Sequence, residues 1–159
     1  MDNFVKALIK EPNKLLTHIL AYNRLKTFQR LVGGRIESIN ISGITNGDTI
    51  TCYGYDEAKL ENQKANFALI LDGYAVDCVV GTVVFVGHDG NGNNRSLTDV
   101  EIKIIKDRIP FLEEVKEKFY KDIDDWSDYL CCDVYESKEE WWNVNVANGR
   151  FKKIMSEET

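Results

Sequence analysis

The chain is predicted to be α+β: a curved, largely antiparallel sheet with one helix near the N-terminal half and amphipathic helices at the C-terminal end. Three observations predict it. Short apolar runs alternate with polar residues between turn signals, Asn46-Gly47 being the strongest hairpin signal among them. Leu25, Phe28, Leu31 and Val32 recur at helical spacing and stop at Gly33-Gly34. Beyond Thr98 the apolar residues step by three or four, as on an amphipathic helix. Strand order is not readable from these patterns.

Phe4 to Lys10 reads as a strand with Val5, Ala7 and Ile9 on one side, and Glu11-Pro12-Asn13 turns it. Lys14 to Leu20 suits a second strand or the start of a helix. Arg35 to Ser42 alternates with one slip, and Thr49 to Tyr55, rich in threonine and tyrosine, reads as its return strand. Glu57 to Asn66 is polar and reads as a loop or short helix. Phe67 to Leu71 is apolar, and Asp72-Gly73 turns the chain. Val76 to Val86 is dense in valine and reads as one or two buried strands around Gly81.

A Gly- and Asn-rich loop, Gly87 to Asn94, leads to Ser96-Leu97-Thr98. Thr98 with Glu101 forms a capping box, each side chain satisfying an unpaired backbone donor. The helix that follows carries Ile102, Ile105 and Ile109, and Pro110 is expected to reset it. A further helix is expected from Phe111, Val115, Phe119, Ile123, Trp126 and Leu130. Trp142, Val144 and Val146 alternate like a strand. The 159 residues fit one domain with an appendage, divided as 1–109 and 110–159.

Charge is uneven along the chain. Residues 1–112 hold 13 acids and 13 bases, whereas residues 113–140 hold 11 acids and 4 bases. Residues 141–159 hold 2 acids and 3 bases, so all the excess negative charge behind the net −6 resides in that one segment. A nucleic-acid binder driven by bulk positive charge is disfavoured, and direct sequence-specific DNA binding is not expected. On a helix, Glu114, Glu117, Asp124, Asp125 and Asp128 fall away from the apolar stripe, with neighbours about 5–6 Å apart. Such a row suits a solvated face or a contact surface for a basic partner. Trp141 and Trp142 suit either interface anchors or a cap on the core.

The first residues lack a signal-peptide core, and no apolar stretch is long enough for a membrane span, so a cytoplasmic protein is expected. Cys52 and Cys78 lie in strand-like runs and are expected to be buried thiols. Cys131-Cys132 is expected to be reduced.

Chemistry is sparse. As a calcium loop, Asp89, Asn91 and Asn93 would lead to Asn94 where glycine is needed and to Val100 where glutamate is needed. The loop also lacks the Gly-Lys-Ser/Thr of a phosphate cradle, although it precedes a helix N-terminus where Arg95 would assist an anion site. His88-Asp89 is a weak dyad candidate, and no HExxH or G-x-S-x-G occurs. No catalytic residue, cofactor or metal is assigned.

Two segments, FQRLVGGRIESI (Phe28 to Ile39) and LDGYAVDCVVGTVVFVGHDGNGNNRSLTDVEI (Leu71 to Ile102), resemble a family of small domains of unknown function. That family occurs in phages, plasmids and conjugative elements of Gram-positive bacteria. The resemblance covers roughly residues 1–109 and implies a mobile-element context near antirestriction genes. It transfers no catalytic residues.

The resulting expectation is a non-enzymatic inhibitor of a host defence nuclease, of the anti-CRISPR or antirestriction type. Glu114, Glu117, Asp124, Asp125, Asp128, Trp141 and Trp142 would meet the nuclease or its nucleic-acid complex. One alternative is a binder of a nucleotide defence signal, with Arg35 and Arg95 as anion contacts. Another is an accessory regulator of mobile-element replication or transcription. A homo-oligomer is compatible with all three.

Overall fold

The computed structural model describes residues 3–121 apart from 46–48, 59, 62 and 72–73. The expected turns at Asn46-Gly47 and Asp72-Gly73, the acids Asp124, Asp125 and Asp128, the cysteines Cys131 and Cys132, and Trp141 and Trp142 lie outside the described residues.

Strand β1 (Phe4–Lys10) alternates as expected. Val5 and Ala7 pack in one apolar cluster and Leu8 in another, on the opposite face. Asn13 takes the left-handed conformation, φ 62°, which asparagine tolerates better than most residues. The chain then returns as β2 (Thr17–Tyr22), antiparallel to β1. Of the two readings open for this stretch, the strand is the observed one.

Helix α1 (Leu25–Val32) buries Phe28 and Val32. Gly33, at φ 104°, ends it, and the amides of Gly33 and Gly34 both donate to the Gln29 carbonyl. A side chain at that φ is disfavoured sterically, so the glycine that stops the pattern is also the residue that makes the stop possible.

Strands β3 (Ile36–Ser38) and β4 (Ile50–Tyr55) pair antiparallel, with Ser38 opposite Tyr53. The expected strand from Arg35 to Ser42 is thus cut short. Ile41 and Ile44 turn inward and are almost fully buried. Thr45 Oγ1 accepts the Ile41 amide at 2.8 Å, replacing a ladder bond with a side-chain one.

Strands β5 (Ala65–Leu71) and β6 (Tyr74–Val80) form a separate two-stranded sheet. Gly81, φ 81°, then carries the chain into β7 (Val83–His88) of the main sheet. The valine-rich run is therefore two strands in two different sheets. Val83, Val84, Phe85 and Val86 are all fully buried. Each such side chain contributes about 1.5–3 kcal/mol by leaving water, which accounts for an apolar run without alternation at the sheet centre. The main sheet runs β2-β1-β7-β4-β3, and the short β8 (Asn94–Arg95) pairs with β7. All the strand pairs described are antiparallel.

Helix α2 (Asp99–Lys121) opens at the expected capping box. The Thr98 amide donates to Glu101 Oε1 at 2.9 Å, and the Glu101 amide donates to Thr98 Oγ1 at 3.2 Å. Pro110 does not reset the helix, which passes through it unbroken. Proline removes the bond to the carbonyl four residues back, that of Lys106. Both residues lie on the exposed side, where water can reach that carbonyl. Ile105, Ile109, Leu112 and Val115 meanwhile hold the helix to the core on either side of the proline.

Three layers result. Helix α1 covers one face of the main sheet, over Val84 and Val86. The other face packs on the β5–β6 hairpin and α2, in a core that includes Leu8, Phe67, Phe85 and Ile109. The Phe67 and Phe85 rings stack at 6.5 Å between centroids and tie the two sheets together.

Candidate functional site

Four regions hold the polar and charged groups of interest. The first is the start of the acidic segment on α2. The buried stripe passes through Leu112 and Val115, which leaves Glu114 and Glu117 exposed, three residues apart on the outer side. Lys116 is buried, and its Nζ lies 3.3 Å from Glu117 Oε1. Glu113 turns the other way, toward Lys10 at 3.4 Å. Glu113 and Glu117 are thus each matched by a lysine of the same chain.

The second region holds the two arginines. Arg35 precedes β3 and pairs with Asp56 at the Tyr55 end of β4. Arg95 lies opposite Gly87, which pairs with Ile50 at the other end of β4. A strand advances about 3.3 Å per residue, so the two attachment points are roughly 16 Å apart. Arg95 also grips Glu101 through both terminal nitrogens, at 2.8 and 2.9 Å. That grip, first of all, holds the Glu101 carboxyl below the usual carboxylate range.

The helix N-terminus beside Arg95 is already occupied, because Glu101 takes the Thr98 amide. The preceding loop is likewise closed on itself. Asp89 Oδ1 accepts the amides of Asn91 and Asn93, and these bonds hold its carboxyl below the usual range. His88 Nδ1 accepts the Gly90 amide rather than facing Asp89 as a dyad. Arg35, Arg95 and the loop therefore do not converge on one anion site.

The third region is a buried polar cluster that the sequence reading missed. Lys10 and Asn66 are each 0 % exposed. Lys10 Nζ donates to Asn66 Oδ1 at 3.0 Å and to the Glu11 carbonyl at 2.8 Å. Asn66 Nδ2 donates to the carbonyls of Lys10 and Gly81. Burial pulls the Lys10 ammonium pKa down, and Glu113 opposes that shift. Strand parity carried the signal: Lys10 shares a face with Leu8, so an inward β1 face ends in a lysine. The cluster clamps the Gly81 passage between the two sheets.

The fourth region is a cavity of about 360 Å³ where the end of the main sheet approaches the hairpin. Glu37 and Ser38 line it from the edge strand β3 and Ile39 from just beyond it, Tyr55 from the end of β4, Asp56 and Ala58 from the turn that follows, and Leu69 from β5. Strand β6 supplies Asp77 to Val80. The Asp56 amide donates to the Arg35 carbonyl, which fixes the backbone there. No group of three or more His, Cys, Asp or Glu among the described residues is arranged to hold a metal ion. No helix among them is long and apolar enough to cross a membrane.

A family model described as a domain of unknown function, DUF3846, matches residues 5–110. No curated protein and no solved structure matches the chain.

Proposed function

The chain belongs to the DUF3846 family, and we propose that it is a non-enzymatic, mobile-element-encoded inhibitor of a host defence nuclease, of the anti-CRISPR or antirestriction type. The observation that carries this reading is the crowding of charge beyond the sheet: 11 acids and 4 bases within residues 113–140 of an otherwise neutral chain. Glu114 and Glu117 lie exposed at the start of that segment, on the side of α2 away from the core. A carboxylate-rich surface suits a groove that evolved to hold phosphates, and contact through it is steered by long-range charge. The pairing of Glu113 with Lys10 and of Glu117 with Lys116 shifts the weight of the contact to the acids farther along, Asp124, Asp125 and Asp128.

The test is affinity capture from a host lysate with the full chain as bait. A second bait carries serine at Glu114, Glu117, Asp124, Asp125 and Asp128. The native bait is expected to retain a nucleic-acid-cleaving enzyme at about 0.01 M salt and release it near 1 M, where the screening length falls from roughly 30 to 3 Å. The serine bait is expected not to retain it. Capture of the same enzyme by both baits overturns the acidic contact, and a captured set without any nucleic-acid-processing enzyme overturns the target class.

A further inference from the structure

The main sheet ends on β2, and that edge is open. Among the described residues no strand lies beyond β2, which pairs with β1 in unbroken register from Thr17 to Ala21 and Tyr22. Its neighbour fixes which backbone groups face outward. Lys6 stands opposite Leu20; its carbonyl accepts the Leu97 amide and its own amide donates to Ser96 Oγ, so both groups point away from β2. At such a position of an antiparallel pair the groups of the opposite residue point away as well. The amide and carbonyl of Leu20 therefore face out of the sheet, as do those of His18 and Tyr22, two residues to either side. The Arg24 amide meets the Tyr22 carbonyl at 2.8 Å. The outward amides stand roughly 7 Å apart, the repeat of an added strand.

Natural sheets blunt such an edge with charge, proline or a bulge. The β2 sequence, THILAY, contains no acid, lysine, arginine or proline, and its register shows no bulge. Leu20 is 68 % exposed, and Phe4, across from Tyr22, is 51 % exposed. The opposite edge, β3, is only three residues long, with Glu37 at its centre.

Charge decides between occupants. No acid occurs between Glu11 and Glu37, a stretch that holds Lys14, Arg24, Lys26, Arg30 and Arg35. Lys14 and Arg35 are paired, with Glu11 and Asp56. Lys6, Arg24, Lys26 and Arg30 are exposed and form no ion pair among the described residues. Lys6 lies on the adjacent strand, Arg24 just past the end of β2, and Lys26 and Arg30 one turn apart on α1. A second copy added antiparallel would bring the Lys14 and Arg24 flanks of the two chains together, like against like. A single nucleic-acid strand needs open rings to stack on, whereas Tyr22 already carries the Arg24 guanidinium 4.6 Å from its centroid and the Phe4 ring at 5.0 Å.

We infer that β2 accepts an added strand from a partner protein, an extended acidic segment whose backbone pairs with His18, Leu20 and Tyr22. Its carboxylates meet the unpaired cations around the edge, and an apolar side chain covers Leu20. The acids of residues 113–140 take no part, so the inference does not rest on the inhibitor reading.

The experiment is fluorescence anisotropy of labelled octapeptides titrated with the full chain. A peptide of alternating glutamate and valine is expected to bind, and to bind less tightly as salt rises. Its lysine–valine counterpart, with the wrong charge, is expected not to bind. A glutamate–valine peptide N-methylated at every backbone amide, with the charge but no donors, is also expected not to bind. Leu20→Pro removes an outward amide and leaves the bonds to β1 in place, and is expected to abolish binding. Lys26→Glu together with Arg30→Glu is expected to weaken binding about tenfold. Should Leu20→Pro not fold, the N-methylated peptide decides. No binding of the glutamate–valine peptide, or equal binding of its N-methylated form, overturns the inference. Equally tight binding of an oligothymidylate overturns it in favour of nucleic acid. Sedimentation of the chain alone is expected to show a monomer, and a dimer that Leu20→Pro dissociates overturns it in favour of a second copy.

Discussion

Lys10 and Asn66 bond to each other twice across 56 positions of sequence: Lys10 Nζ donates to Asn66 Oδ1, and Asn66 Nδ2 donates to the Lys10 carbonyl. Both are fully buried, so neither bond can be replaced by water when one partner is removed. The pair joins the end of the first strand of the main sheet to the start of the hairpin sheet, and Asn66 also holds the Gly81 carbonyl.

Asn66→Ala is expected to destabilise the protein by about 2–4 kcal/mol, because it strands a buried ammonium and two carbonyls. Lys10→Met is expected to cost less, about 1–2 kcal/mol, since the methionine stem fills the same space and Glu113 is partly open to solvent. Urea midpoints for the two variants check this, and a costlier Lys10→Met contradicts it. A second readout uses pH. A lysine with a lowered folded pKa makes stability rise with pH between that value and the unfolded one, about 10.4. Lys10→Met is expected to weaken that rise.

Glu101 gives the acid-side prediction. Its carboxyl is held below the usual range by the Arg95 bonds first, and also by the Thr98 amide. A carboxylate shifted in that direction contributes stability that is full above its unfolded pKa, about 4.3, and is lost as pH falls through the lower folded value. Glu101→Gln is expected to cost about 2–3 kcal/mol at neutral pH, through the weakened grip on Arg95. The gap between wild type and Glu101→Gln should close as the pH falls below about 4. Equilibrium unfolding followed by circular dichroism across that range reads it directly, and a gap that stays constant rejects the linkage.

Pro110 sits at an exposed position inside α2, between the buried Ile109 and Leu112. Alanine there restores the bond to Lys106 and removes the ring clash, so Pro110→Ala is expected to stabilise the protein by about 1–3 kcal/mol. Were the helix instead broken at residue 110, the same substitution would be nearly neutral. The shift in melting temperature distinguishes the two.

Cys52 and Cys78 are buried thiols, and burial pushes the Cys52 pKa well above its usual value. Only the thiolate is a good nucleophile. Neither cysteine is expected to be alkylated by iodoacetamide in the folded protein, and both are expected to react in denaturant. Peptide mapping by mass spectrometry checks each one separately.

Much of the local structure was legible in the residues. Phe4 to Lys10, the glycine stop at Gly33 and the Thr98–Glu101 box each announce themselves within a few positions. The cavity was not legible, because Ser38, Asp56 and Val79 come from three stretches with no shared pattern. The two arginines of the anion alternative looked like a pair on paper, yet β4 holds them apart at its two ends. The burial of Lys10 was legible only in part: its parity with Leu8 on the Phe4–Lys10 strand points inward, but Asn66, which satisfies it, lies 56 positions away.

The residues alone determined the span of β1, the glycine stop of α1 and the capped start of α2, and that the acids gather beyond residue 112. Those features rest on short-range sterics, on backbone donors met by nearby side chains, and on composition. The three-dimensional arrangement decided that Tyr74–Val80 and Val83–His88 belong to different sheets, that α2 runs through Pro110, and that a lysine is buried while an aspartate oxygen is left without a donor. The reason is that strand partners and the cost of burying a charge are set by groups far away in the chain, and no local window contains both halves of such a contact.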